Sequence, residues 1–148
     1  MSGAAADEVR LERLIPASPE QLFALWVDPV QLAKWWAPDG YEIEIDTLET
    51  SPGGRWRNVL RAADGAGVAV SGVFHIVDPP RRLAFSWAWE DEHGAPGHQT
   101  EVTVTFEPAP GGARLVVLHQ RFAAAEERAR HEGGWAASVD RLARLAGE

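Results

Sequence analysis

The sequence of 148 residues contains no cysteine. This excludes disulfides, thiolate nucleophiles and cysteine-bound zinc or iron–sulfur sites, and it favours a cytoplasmic location. No apolar run approaches the roughly 20 residues that a membrane-spanning helix needs, and the first residues, Met1 to Asp7, carry no secretory-signal pattern. Basic residues are scarce, with 14 against 22 acidic ones. The resulting net charge of −8 argues against nucleic acid as a partner.

Tryptophan, by contrast, is abundant, with seven residues beside a single tyrosine. The indole has the largest apolar surface of any side chain, and its N–H needs a partner when buried. The chain is long enough to bury roughly 70% of the surface that its unfolded form exposes. We therefore predict one domain over residues 9–148, after a flexible start at residues 1–8.

The first third of the chain carries a strand signal followed by two helix starts. Val9 to Ile15 has the composition of a strand. Ser18 precedes Pro19 and is followed three residues later by Gln21, which is typical of a capped helix. Asp28-Pro29 repeats the signature. These patterns predict two short helices directly after the first strand.

From Tyr41 onward the apolar residues alternate in successive segments joined by short turns, which predicts an antiparallel sheet. The last segment, Ala124 to Ala146, has helical periodicity that Gly133-Gly134 interrupts. Only this helix is long enough to cover the sheet. The predicted fold is α+β: a curved antiparallel sheet of six to seven strands around a long C-terminal helix. The two glycines suggest a close backbone approach or room for something bulky.

Short motifs occur in a characteristic order from about residue 9 to residue 146. They are Ile15-Pro16-Ala17-Ser18-Pro19-Glu20, Trp35-Trp36, Pro52-Gly53-Gly54-Arg55-Trp56, Gly72, Pro79-Pro80-Arg81-Arg82-Leu83, Phe85-Ser86-Trp87, Val102-Thr103-Val104-Thr105-Phe106, Gly134-Trp135 and Asp140-Arg141-Leu142. Together they resemble the START-like (SRPBCC, helix-grip) superfamily. Within it, they are similar to the branch of the activator of heat-shock-protein-90 ATPase. Members of this group often have a small residue or glycine where this chain has Arg121.

The resemblance implies a helix-grip fold with a cavity between the curved sheet and the long helix. Across the superfamily this cavity holds apolar or amphipathic small molecules, and in a few members it catalyses cyclisation or hydrolysis. The branch takes its name from a co-chaperone. A ligand-binding protein, an enzyme and a protein-interaction module are therefore all compatible with the resemblance.

The tryptophans are the strongest candidates for a binding site. On one interpretation, four of them face the cavity and offer flat walls to a ring-bearing ligand: Trp56, Trp87, Trp89 and Trp135. On the other, they fill the core between sheet and helix. Trp35 and Trp36 are adjacent on a helix and cannot share a face, so we expect one of them at the pocket rim.

Four polar residues complete the candidate set: Asn58, Ser71, His119 and His131. Asn58 and His119 fall on the apolar parity of their strands, and His131 lies one turn before Trp135. A buried polar group without a partner costs about 1–3 kcal/mol. The partner of each is either a neighbouring group in the core or a ligand, and the sequence leaves both open.

The leading hypothesis is a protein that binds a small apolar or aromatic molecule in this cavity, without a metal or organic cofactor. The first alternative is an enzyme of the cyclase or hydrolase type with His119 or His131 as the general acid–base. The second is a co-chaperone-like interaction module. Glu90-Asp91-Glu92-His93 is more typical of a charged loop than of a metal site. The identity of the ligand and a homodimeric state are left open.

Overall fold

A computed structural model describes residues 7–37 and 40–147; residues 1–6 of the predicted flexible start lie outside these ranges. The elements in chain order are β1 (Val9–Ile15), α1 (Pro19–Val27), α2 (Pro29–Trp35), β2 (Tyr41–Leu48), β3 (Arg55–Ala62), β4 (Gly67–Asp78), β5 (Arg82–Trp89), β6 (Thr100–Ala109), β7 (Gly112–Gln120) and α3 (Ala125–Gly147). The predicted α+β architecture is confirmed, with seven strands in the sheet.

The two short helices begin where the sequence predicts, because each has a side-chain cap. The Ser18 hydroxyl accepts a hydrogen bond from the backbone N–H of Gln21 at 3.1 Å, and the Gln21 side chain accepts one from the N–H of Ser18 at 2.9 Å. At α2, the Asp28 carboxylate accepts from the N–H of Val30 at 2.9 Å. These bonds satisfy N–H groups that the first helical turn leaves without partners.

The sheet is antiparallel throughout, in the order β1-β7-β6-β5-β4-β3-β2, and it curls into a half-barrel. The buried side of α3 packs on its concave face. Strand β2 lies at one edge, where Tyr41 is 44% exposed while Ile43 and Ile45 are half-buried. The alternation in β2 predicted a buried face, and its position at the sheet edge explains why that face is only partly covered.

Close packing between β3, β4 and β5 fixes one of the tryptophans. Trp56 lies beside Gly72 on the neighbouring strand, and its Nε1 donates to the Ser86 carbonyl at 3.1 Å. A Cβ atom at Gly72 would lie 1.8 Å from that carbonyl oxygen and 2.6 Å from the indole nitrogen. Only glycine leaves room for this contact, so the Gly72 motif is explained by packing.

Helix α3 has two dissimilar halves. Its buried residues are Trp135, Ser138, Val139 and Leu142, all in the second half, whereas residues 125–134 contain no buried residue. Within the described ranges, no helix combines the length and apolar character required to cross a bilayer.

Candidate functional site

A pocket of about 440 Å³ lies between the concave face of the sheet and α3, and this volume is typical of small-molecule sites. We call it the outer pocket. Its lining residues are Trp36, Leu60, Trp87, Trp89, Glu127, Arg130, His131, Gly134, Trp135 and Ser138. The residues from the first half of α3 are half-buried or exposed, so the pocket opens to solvent on that side.

Strand β5 supplies two of the indole walls because its side chains alternate between the faces of the sheet. Trp87 and Trp89 share the concave face with Leu83 and Phe85, and all four pack in the main hydrophobic cluster. The ring centroids of Trp87 and Trp89 are 5.9 Å apart, and the ring of Trp135 on α3 lies 5.6 Å from that of Trp87. These rings are neighbours around one space.

The adjacent residues Trp35 and Trp36 point in different directions, as the helical geometry predicts. Trp35 is fully buried, and its Nε1 donates to the Leu25 carbonyl at 2.9 Å. Trp36 lines the outer pocket, with its ring centroid 5.6 Å from that of Trp87. Trp35 is therefore a core residue outside the pocket, and Trp36 is the one at its wall.

Both ring nitrogens of His131 are bound to protein groups. Nδ1 lies 2.7 Å from the carbonyl oxygen of Glu127, which can only accept, so this nitrogen carries the proton. Nε2 accepts a hydrogen bond from Nε1 of Trp89 at 2.9 Å. Burial lowers the pKa of His131. The imidazole is thus neutral and holds the Trp89 indole in place at the pocket wall.

His119 lies behind the wall, fully buried, and holds Trp135 in the same way. Its Nδ1 accepts from Nε1 of Trp135 at 2.9 Å, and its Nε2 lies 2.7 Å from the Thr100 hydroxyl. That hydroxyl donates to the Trp87 carbonyl at 3.0 Å, so Nε2 of His119 is the donor to Thr100. Burial, with a smaller effect of nearby His131, lowers the pKa of His119 from 6.5 to about 2.

A second, smaller space of about 30 Å³ lies deeper in the core; we call it the inner cavity. Its lining residues are Trp26, Leu32, Trp36, Leu48, Trp56, Asn58, Phe74, Leu83 and Phe85. Trp36 lines both spaces. Asn58 is 2% exposed, and its Oδ1 accepts no hydrogen bond from the described residues. Nε1 of Trp26 is likewise buried without a partner.

Ser71 lies on the opposite, convex face of the sheet. The register pairs it with Arg57 and Ala88, and, after Arg57, Ser71 contributes to lowering the pKa of Glu90 on the same face. Arg57 donates to both carboxylate oxygens of Glu90 at 2.9–3.2 Å, which lowers the pKa of that carboxyl group. The predicted placement of Ser71 at the cavity is therefore corrected. In residues 7–37 and 40–147, no group of three or more histidine, aspartate or glutamate side chains could hold a metal ion.

Five lining residues were absent from the predicted set: Leu60, Glu127, Arg130, Gly134 and Ser138. All but Leu60 lie with His131 along one side of α3, at the helical spacing that brings successive turns onto one face. The periodicity of the last segment identified only the neighbouring stripe of buried residues. The sequence signal for this second stripe is the pair Gly133-Gly134, which follows His131 closely in the chain. Composition alone does not assign these glycines to a pocket.

The glycines of α3 are not required by close packing. A Cβ atom added at Gly133 or Gly134 would have no heavy atom of the described residues within 4 Å. The sequence suggested two reasons for these glycines, a close backbone approach or room for something bulky. The first of these expectations is wrong. At Gly134 the free space belongs to the outer pocket.

Comparison with known proteins agrees with this architecture. Residues 16–147 match the model of the activator of Hsp90 ATPase homolog 1-like protein family. The AHSA1 protein from Silicibacter pomeroyi is 36% identical, with 93% of this chain and 96% of that chain covered and a TM-score of 0.84. A protein from Chromobacterium violaceum is 26% identical over 96% and 99% of the two chains, with a TM-score of 0.88.

An AHSA1-like protein from Aeromonas hydrophila is 27% identical, covering 93% of this chain and 90% of that one, with a TM-score of 0.76. None of the curated proteins matches the sequence. The family model spans nearly the whole chain, and the resemblance inferred from the motifs is confirmed. The chain belongs to the activator of Hsp90 ATPase homolog 1-like family, with the SRPBCC fold.

Proposed function

We propose that this protein binds a small apolar molecule with an aromatic ring system in the outer pocket. The size and walls of the pocket support this proposal. Its volume of about 440 Å³ accommodates a ligand of two or three fused rings. Four indoles line it, from Trp36, Trp87, Trp89 and Trp135, and aromatic rings attract one another in offset or edge-to-face arrangements.

The single observation that carries the proposal is the empty space beside Gly134. Glycine inside a helix costs about 1 kcal/mol relative to alanine, and no neighbouring atom requires a glycine at this position. The missing side chain enlarges the outer pocket instead. Gly133 has the same open surroundings but lies outside the lining, so it is the place of Gly134 at the wall of an aromatic pocket that supports the proposal.

Affinity would come mainly from apolar contact, at roughly 25 cal/mol per Å² of surface buried. Several polar atoms of the walls are engaged already, whereas Nε1 of Trp87 is buried without a partner among the described residues. Both nitrogens of His131 are bonded, and the Ser138 hydroxyl donates to the Trp36 carbonyl at 3.0 Å. A ligand with many hydrogen-bonding groups would lose its bonds to water without replacing them.

The hydrogen bonds of the two histidines also weigh against an enzyme that uses either of them as a general acid–base. A general base needs a ring nitrogen that can take a proton from the substrate. In His119 and His131 every ring nitrogen is engaged with a protein group, and burial lowers the pKa of both. The co-chaperone-like alternative stays a prediction that follows from the family name alone.

The test is a titration of the protein with naphthalene, followed by calorimetry and by the change in tryptophan fluorescence. We expect saturable binding to the wild type. Gly134→Leu places a side chain in the outer pocket and should weaken binding at least about tenfold. Gly133→Leu is the matched control: it adds the same good helix former one residue away, outside the lining, and should bind like the wild type.

Two results would contradict the proposal. One is the lack of saturable binding by the wild type to naphthalene and to larger fused-ring compounds. The other is equal affinity of the Gly134→Leu and Gly133→Leu variants, which would place the ligand elsewhere on the molecule.

A further inference from the structure

The inner cavity contains a polar group that the fold leaves without a partner. Asn58 lies on the concave face of β3 between Trp56 and Leu60, and it is the only amide side chain among the described residues of the cavity lining. Its Oδ1 is buried and accepts no hydrogen bond from any described residue. An unpaired amide in an apolar interior is unfavourable, so a group from outside the chain is the natural partner.

The other polar group of the cavity differs in kind. Nε1 of Trp26 is a donor without an acceptor, whereas Nε1 of Trp56 already donates to the Ser86 carbonyl. The amide of Asn58 offers both an acceptor and donors, and rotation about its last side-chain bond exchanges the two ends. In the structure the acceptor oxygen is the end of this amide that lacks a partner, so the cavity presents one unpaired donor and one unpaired acceptor among the described residues.

We propose that the inner cavity is the polar subsite of the binding site and that it takes a hydroxyl group at the end of an otherwise apolar ligand. This inference rests on the proposed function, because the apolar body of the ligand lies in the outer pocket. The hydroxyl donates to Oδ1 of Asn58 and accepts from the indole N–H of Trp26. A hydroxyl matches this pair because it is both donor and acceptor.

The volume of the inner cavity and the charge of its walls narrow the choice of the ligand group that binds there. About 30 Å³ is enough for a hydroxyl or a water molecule and too little for a ring. Among the residues that the structure describes, no charged side chain lines the inner cavity. A carboxylate or an ammonium group would therefore be buried there without a counter-ion from these residues, which is strongly unfavourable. A neutral hydroxyl avoids that penalty.

Trp36 controls the connection between the two spaces. Its ring lines both of them, and its centroid is 5.6 Å from that of Trp87. We therefore expect a ligand that reaches from the outer pocket to Asn58 to displace this ring. The Trp36 side chain thus acts as a partition, and the subsite is reached only by ligands whose hydroxyl is carried on a narrow alkyl arm.

The experiment compares 3-(2-naphthyl)propan-1-ol with 2-butylnaphthalene, which replaces the hydroxyl with a methyl group. Both affinities are measured for the wild type, for Asn58→Leu and for Ser71→Ala. We expect the ratio of affinities, alcohol over hydrocarbon, to fall about tenfold in Asn58→Leu, the effect of one ordinary hydrogen bond. Ser71→Ala alters a polar residue on the other face of the sheet and should keep the wild-type ratio.

A second measurement needs no variant. In nitrogen–proton correlation spectra of the wild type, the side-chain amide signals of Asn58 should shift with the alcohol and stay in place with the hydrocarbon. Binding of both compounds with an unchanged ratio in Asn58→Leu, or with no selective amide shift, would overturn the subsite and indicate that the cavity holds only water. Failure of both compounds to bind the wild type would instead count against the proposed function itself.

Discussion

The aromatic interior of this protein has two ends that differ in how the rings pack. At the closed end, Trp26 and Trp35 are 4.6 Å apart between centroids, and Phe23 packs edge-on against Phe106 at 5.6 Å. At the open end, Trp36, Trp87, Trp89 and Trp135 surround the outer pocket. Trp35 thus fills the closed end, whereas the four indoles of the open end form a pocket wall within the same core.

Solvent exposure alone does not separate the two ends. Trp35 is 0% exposed, but Trp87 and Trp135 at the pocket are only 6% and 4% exposed. The difference lies in what covers the rings. Helices α1 and α2 cover the closed end with large side chains, whereas the first half of α3 covers the open end without a single buried residue. A pocket forms where the covering element lacks bulk.

The largest expected effect is the contrast between two truncations. Trp35→Ala removes a fully buried ring and leaves the Leu25 carbonyl without its donor, so it should lower the free energy of unfolding by about 3–5 kcal/mol. Trp89→Ala, at the half-buried rim of the pocket, should cost about 1–2 kcal/mol. Denaturant unfolding measures both, and equal losses would remove the distinction between the ends.

A smaller effect is the loss of folding stability at acidic pH that the buried His119, behind the open end, should cause. The pKa of His119 is about 2 in the folded protein, against an ordinary value of 6.5. Between these values only the unfolded chain binds the proton, so stability is fully present above pH 6.5 and falls as the pH decreases. From pH 7 to pH 5.5 this histidine should lower the free energy of unfolding by about 1 kcal/mol.

The matched variants for this pH effect are His119→Gln and His93→Gln. The first should flatten the decline between pH 7 and pH 5.5, and the second, whose side chain is 82% exposed in a loop, should leave it unchanged. A slope in His119→Gln as steep as in the wild type would show that the buried histidine is not its source.

The smallest expected effect is a gain in stability from filling the helix. Gly133→Ala and Gly134→Ala should each raise the free energy of unfolding by up to about 1 kcal/mol, because alanine favours the helix and the added methyl group meets no neighbour. Thermal unfolding detects such a change. A loss of stability in either variant would mean that the first half of α3 is packed more tightly than the open end requires.

Much of this fold could be predicted from local signals. The caps at Ser18 and Asp28 and the alternation in β5 depend on neighbouring residues in the chain, and all three are confirmed. The exposure of Tyr41 could not be predicted in this way. It depends on β2 lying at the edge of the sheet, which is a property of the strand order rather than of the strand.

The site was harder to predict for the same reason. Strand parity assigned Asn58 to the concave face, where it lies. The parity of β4 is ambiguous because both its faces are apolar, and Ser71 on that strand lies on the convex face. Strand parity also predicted that His119 faces the interior. It did not indicate that the ring nitrogens of His119 form hydrogen bonds with Trp135 and Thr100. These hydrogen bonds join elements that are far apart in the chain, so the spacing of residues in the sequence does not reveal them.

The most direct measurement of the central claim is a crystal structure of the protein grown with naphthalene. We predict electron density for the ligand in the outer pocket, against the rings of Trp87, Trp89 and Trp135, with these indoles within about 1 Å of the positions they hold without it. Crystals in which the indoles have closed over the outer pocket, with no room and no density for the ligand, would contradict the account.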